Sequence, residues 1–179
     1  MTRATQKCDS ARGRDGATPV LCHRGSGPTM GGPPPTERPV SMPTLLTPYL
    51  GFRDSAKEAM EFYQSVFGGE LTLSTFGEFH ASEDPVEQDK IMHGMLTSPS
   101  GLVLMGADTP NSMEYTPGDA FSVSLSGDDE AELTGYWDKL SQGAEITAAL
   151  SKAPWGDTFG MCKDKFGINW LVNISGSPS

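Results

Sequence analysis

The sequence predicts an α+β fold in which one strand–helix–three-strand unit occurs twice. Two helical segments, 54–69 and 128–143, carry apolar residues at helical spacing, and each closes on glycine. Each follows one strand-like run and precedes three more. Two turn-and-strand stretches, "SPSGLVLMG" (98–106) and "DKFGINWLV" (164–172), hold corresponding places in the two units. A shift of 74 residues lays Asp54 on Asp128, Phe62-Tyr63 on Tyr136-Trp137 and Gly69 on Gly143. A shift of 66 lays Gly101 on Gly167 and Met105 on Leu171. One repeated unit therefore accounts for both hairpins.

The elements follow in order. "TLLTPYLGF" (44–52) is rich in aliphatic and aromatic residues and predicts the first strand. In "DSAKEAMEFYQSVFGG" (54–69), Asp54 or Ser55 can accept from first-turn amides, and Ala59, Phe62, Tyr63 and Val66 form one apolar stripe. Gly68-Gly69 supplies the positive φ of a helix end. "ELTLSTFG" (70–77), "KIMHGMLTS" (90–98) and "GLVLMGA" (101–107) predict three strands. The first two are separated by a long acidic loop, "EFHASEDPVEQD", expected to be mobile. The second unit opens with "AFSVSLSG" (120–127), which alternates with period two. "DDEAELTGYWDKLSQG" (128–143) puts acidic residues at the helix start, where the dipole favours them. Segments 144–156, 158–164 and 168–175 complete the unit as strands.

At 179 residues the chain suits one domain or two small modules sharing a core. Its charge of -10 is uneven: residues 1–41 carry a net +3, leaving -13 on the remainder. An acidic body repels phosphate backbones, which argues against nucleic acid as a partner. No run approaches the roughly 18 apolar residues of a membrane span, so no membrane partner is expected. Residues 1–41 are dense in Gly, Pro, Ser, Thr and Arg and are expected to be a disordered or artefactual extension, with Met42 a candidate start. Their composition also admits a transit peptide or a basic contact surface. The domain is then 42–179, with units at about 44–107 and 120–175. Cys8, Cys22 and Cys162 make no disulfide framework, and a cytoplasmic location is the default.

The helix "EAMEFYQSVFGGEL", the strand "DKIMHGML", the long loop and "WGDTFGMCKDKFGINWLVN" resemble the vicinal oxygen chelate superfamily, the glyoxalase/bleomycin-resistance fold. They look most like its PhnB-like branch, sometimes labelled demethylubiquinone methyltransferase-like. The resemblance covers about Met42 to Ser175. It implies two βαβββ repeats forming a cupped mixed sheet around a small-molecule cavity, and a homodimer. Metal-dependent members draw ligands from the first and last strands of each unit: His near the start of the first, Glu four residues after the hairpin glycine of the last. Here those positions are Met105 and Leu171, with the first-strand positions near Pro48 and Ser122. None is His, Glu or Gln, and neighbouring Tyr49 is an unusual ligand. The resemblance therefore implies no metal at the usual site, and no cofactor is expected.

His93 is the remaining candidate for acid/base chemistry, since imidazole titrates near 6.5; the alternative is a strand histidine with one satisfied hydrogen bond. His80, Glu83, Asp84 and Glu87 form a loose cluster in the acidic loop whose irregular spacing makes a poor metal site. Tyr49, Phe52, Met105, Trp155 and Phe159 are candidate ligand contacts, with Trp155 over a cavity mouth. Trp170 reads as core. Asn169, Leu171 and Asn173 share one strand face by alternation; with Leu171 facing the cavity, as the resemblance implies for its position, Asn173 would offer an amide to a polar ligand. Asp164 is expected to cap its turn and Cys162 to be an inert thiol. The expected function is small-molecule binding without metal. A lyase, isomerase or ring-modifying enzyme using His93 is the alternative; methyl transfer ranks lower, because no glycine-rich strand-to-helix loop is present.

Overall fold

The computed structural model describes residues 45–176, so the expectations for residues 1–41 lie outside the described residues. The first repeat comprises β1 (Tyr49–Phe52), α1 (Ala56–Phe67), β2 (Glu70–Thr75), β3 (Ile91–Thr97) and β4 (Val103–Asp108). The second comprises β5 (Val123–Gly127), α2 (Glu130–Leu140), β6 (Glu145–Lys152), β7 (Thr158–Lys163) and β8 (Asn169–Ile174). The two sheets have the same order, β1-β4-β3-β2 and β5-β8-β7-β6. In each, the first strand pairs parallel with the last and the other pairings are antiparallel. The predicted α+β fold of two βαβββ repeats is the observed one.

Alternation fixes which face each helix covers. Leu50 and Phe52 of β1, Leu96 of β3 and Leu104 of β4 are buried with Ala59, Met60, Tyr63 and Val66 of α1. Leu125, Trp170, Val172 and Ile174 are buried with Leu133, Trp137 and Leu140 of α2. All belong to one core, and α1 also packs on α2. The Lys139 ammonium strengthens that junction by donating to the Ser65 carbonyl at 2.8 Å, where α1 leaves its last carbonyls unpaired. Gly160 of β7 lets α2 approach: a Cβ there would lie 2.9 Å from the Trp137 ring.

Asp164 holds the repeats together. Its Oδ1 accepts from the amides of Phe166 and Ile168, shaping the turn that Gly167 completes at φ 87°. Its Oδ2 accepts from the Tyr63 hydroxyl of α1 at 2.7 Å and from the Trp170 indole at 2.8 Å. Burial, then the Asp164 charge, pushes the Tyr63 phenol far up. The expected turn cap is thus also an inter-repeat bond.

Two local expectations are corrected. Neither Asp54 nor Ser55 caps α1 with its side chain; Asp108 at the end of β4 accepts from the Ala56 amide at 3.0 Å and from the Ile91 amide at 2.9 Å. Asp54 instead pairs with Lys90 at 2.7 Å. The acidic loop is folded rather than loose: Phe76 is buried, Asp84 caps a 3₁₀ turn at Pro85–Glu87, and buried Glu87 accepts from the Ser82 hydroxyl and the Asn111 amide.

Candidate functional site

Residues that alternate with the core build the other face of each sheet. On the first sheet, Tyr49, Met105 and Met95 lie in one cross-strand row: Tyr49 opposite Met105, and Met105 opposite Met95. His93 is two residues from Met95 on the same face. The Tyr49 hydroxyl meets His93 Nδ1 at 3.2 Å, and the two rings stack at 5.8 Å between centroids. Partial burial raises the Tyr49 phenol above its ordinary range. This phenol–imidazole pair is the first sheet's only side-chain pairing of titratable groups on that face among the described residues.

A cleft of about 540 Å³ lies beside it, between β1, the connection at 115–121 and the β7–β8 hairpin. Tyr49, Tyr115, Phe121, Lys163, Phe166 and Ile168 are among its walls. Tyr115 is fixed there: its hydroxyl donates to the Gly51 carbonyl at 3.1 Å, and the Arg53 guanidinium lies 5.4 Å from its ring centre. The second repeat has a corresponding cleft of about 260 Å³, where β5 faces the β3–β4 hairpin, and its walls are mostly apolar.

On the second sheet, Asn173 lies opposite Phe159, whose ring packs edge-on against Trp155 at 5.6 Å. Asn173 Nδ2 donates to Asp157 Oδ2 at 2.9 Å, and Asp157 Oδ1 accepts from the Gly176 amide. Those two hydrogen bonds, the amide first, hold the Asp157 carboxyl below its usual range. With its NH2 directed to Asp157, Asn173 leaves its carbonyl oxygen free to accept. Trp155 sits at the β6–β7 turn, 63% exposed.

The structure thus gathers the candidates into two groups, Tyr49, His93 and Met105 on one sheet and Trp155, Phe159 and Asn173 on the other. Phe52 belongs to neither. It is 1% exposed, points to the helix side and packs edge-on against Phe166, because alternation along β1 sends residues 50 and 52 into the core. Trp170 is core, as expected. Cys162 is buried, and burial pushes its thiol up to about 11. The first-strand partners of Met105 and Leu171 prove to be Tyr49 and Ser124; the latter lies two residues beyond the expected position because β5 begins only at Val123. Phenol, thioether, hydroxyl and alkyl groups are a poor donor set for a divalent ion, so these residues do not fit the metal of metal-dependent relatives. The loop carboxylates Asp84 and Glu87 accept from Val86 and Asn111 amides, and no metal-holding group of three His, Cys, Asp or Glu occurs among the described residues.

Tyr115, Phe121, Lys163 and Phe166 were not legible as site residues. Tyr115 sits in a connection without strand or helix pattern, Phe121 reads as part of a strand that begins only at Val123, and Lys163 and Phe166 read as strand and turn. Asp157 likewise gave no signal before its bond to Asn173.

Residues 44–173 match the family described as 3-demethylubiquinone-9 3-methyltransferase. Protein PA1353 from Pseudomonas aeruginosa is 32% identical, with a TM-score of 0.66 over 75% of this chain and 100% of that one. A putative 3-demethylubiquinone-9 3-methyltransferase, PhnB protein, from Bacillus cereus is 26% identical, with a TM-score of 0.61 over 74% and 100%. Protein YjdN from Escherichia coli K12 is 27% identical over 140 residues, 72% of this chain and 94% of YjdN. The sheet order, the repeat and these matches agree: the chain belongs to the 3-demethylubiquinone-9 3-methyltransferase family, the PhnB-like branch of the vicinal oxygen chelate superfamily.

Proposed function

We propose that the chain binds a small organic molecule beside Tyr49, without the metal site of metal-dependent relatives. One observation carries this reading: Tyr49 is at once the partner of His93, the cross-strand neighbour of Met105 and a wall of the 540 Å³ cleft. That volume lies within the roughly 300–1,000 Å³ typical of small-molecule sites. Aromatic and methionine side chains supply contact area at low entropy cost or with adaptable shape. Trp155, Phe159 and the Asn173 carbonyl are the proposed contacts on the second sheet. Phe52 acts from behind, holding β1 against the core.

The test is native mass spectrometry of the purified chain after incubation with a metabolite extract. A stoichiometric adduct lost in Tyr49→Ala supports binding; no adduct, or one indifferent to Tyr49→Ala, contradicts it.

The hydrogen-bonded Tyr49–His93 pair favours a second reading, an enzyme of lyase, isomerase or ring-modifying type with His93 as acid/base. A neutral imidazole held by a phenol can accept a proton from a bound carbon or oxygen acid. Once a ligand is identified, His93→Ala separates the readings: retained affinity with lost turnover indicates the enzyme. Methyl transfer has less support. The β1–α1 connection, Arg53–Ser55, has no glycine-rich loop to take a nucleotide-like methyl donor. A homodimer and a cytoplasmic setting complete the proposal, the first checked by sedimentation of the full chain.

A further inference from the structure

We propose that the larger cleft selects a small aromatic carboxylate, with Lys163 taking the carboxylate and the surrounding rings taking the ligand's ring. This rests on the reading of that cleft as the ligand site and narrows it to a chemical class. Four of its walls are aromatic: Tyr49, Tyr115, Phe121 and Phe166. Tyr115 is anchored by Gly51 and Arg53 and so presents a fixed face, whereas Phe121 is 61% exposed at the rim. An anchored ring with an uncovered one nearby suits a planar guest, because offset stacking adds to the area each ring buries.

The charge comes from Lys163, the cleft's one basic wall residue. Of the other five lysines among the described residues, Lys57 and Lys152 are not among the cleft walls, and three are engaged. Lys90 pairs with Asp54 and Asn111, Lys139 donates to carbonyls of α1, and Lys165 lies over the Phe62 and Phe166 rings. Lys163 is half-buried and makes no ion pair or hydrogen bond among the described residues. Its cross-strand neighbours are Glu145 on β6 and Asn169 on β8, and Asp119 shares the cleft; none holds the ammonium. A partly desolvated cation among aromatic walls lacks the anion that would satisfy it, and a carboxylate supplies a charge-assisted hydrogen bond there. The Tyr49 hydroxyl offers a polar contact for a ring substituent.

Titration calorimetry of the full chain with 4-hydroxybenzoate, benzoate, benzamide and acetate tests this. The expected order is 4-hydroxybenzoate and benzoate well ahead of both benzamide, which lacks the charge, and acetate, which lacks the ring. Lys163→Met should weaken benzoate about tenfold or more, Lys163→Arg should largely restore it, and added salt should weaken it in the wild type. Unchanged thermal unfolding of Lys163→Met checks that the fold is intact. Benzamide binding as tightly as benzoate, with Tyr49→Ala weakening both, overturns the acid and leaves the ligand site standing. Benzoate affinity indifferent to Lys163→Met also overturns it. Failure of every aromatic probe to bind overturns both the acid and the cleft.

Discussion

The Tyr63 hydroxyl donates to Asp164 Oδ2 at 2.7 Å, joining the helix of the first repeat to the last turn of the second across 101 residues of chain. Asp164 is 4% exposed and its carboxylate accepts four hydrogen bonds. Removing it strands the buried Tyr63 hydroxyl and Trp170 indole, each costing about 1–3 kcal/mol when unpaired. Asp164→Ala should therefore lose about 3 kcal/mol or more in urea unfolding, and Tyr63→Phe about 1–2 kcal/mol. A double-mutant cycle should show strong coupling; additivity would mean that the bond does not join the repeats.

Close packing of α2 on its sheet makes a second prediction. A Cβ at Gly160 would lie 2.9 Å from Leu150 Cα and 2.9 Å from the Trp137 ring. Overpacking of this kind costs about 1–3 kcal/mol, so Gly160→Ala should lower the unfolding midpoint and perturb Trp fluorescence. An unchanged midpoint would show that the helix has room to move.

The acidic loop should respond to pH through Glu87. Hydrogen bonds from the Asn111 amide, then the Ser82 hydroxyl, hold its carboxyl below the ordinary value of 4.5. A depressed carboxyl adds stability that is fully present above 4.5 and is lost as pH falls through the lower folded value. Amide protection factors in 78–90 should fall in the wild type as the pH drops below 4.5, and Glu87→Gln should be less protected already at pH 7. Equal protection of the two at pH 7 would remove Glu87 as the loop's anchor.

The Tyr49–His93 pair predicts an effect on the histidine itself. Tyr49→Phe removes the hydroxyl that meets Nδ1, so the tautomer balance of His93, followed by nitrogen-15 NMR, should change. No change would mean that the 3.2 Å contact does not persist in solution.

Much of the fold was legible because its signals are local. The helix stripe, the Gly68-Gly69 stop and the hairpin glycines each need only neighbouring residues, and the 66-residue shift correctly equated Met105 with Leu171, which meet Tyr49 and Ser124 in the same register. What escaped is long-range. Asp108 capping α1, Asp164 accepting from Tyr63 and Tyr49 meeting His93 all join residues at least 44 apart, and no spacing rule selects those partners. Phe52 was misjudged for a simpler reason: an aromatic three residues from Tyr49 on the same strand looks equally exposed until alternation assigns it the opposite face. Of the candidate site, only the sharing of one strand face was legible, as where Asn169, Leu171 and Asn173 alternate along β8.

The most direct test of the central claim uses the methionine methyl groups as reporters. Met95 and Met105 are cross-strand partners on the Tyr49 face, while Met60 is fully buried on the sheet-facing side of α1. In carbon-13 methyl spectra, titration with a library of neutral and acidic aromatic fragments should move the Met105 and Met95 signals in a saturable way and leave Met60 in place. Tyr49→Ala should abolish those shifts. Fragments that move neither Met105 nor Met95, or that shift them equally in Tyr49→Ala, would contradict a ligand site beside Tyr49.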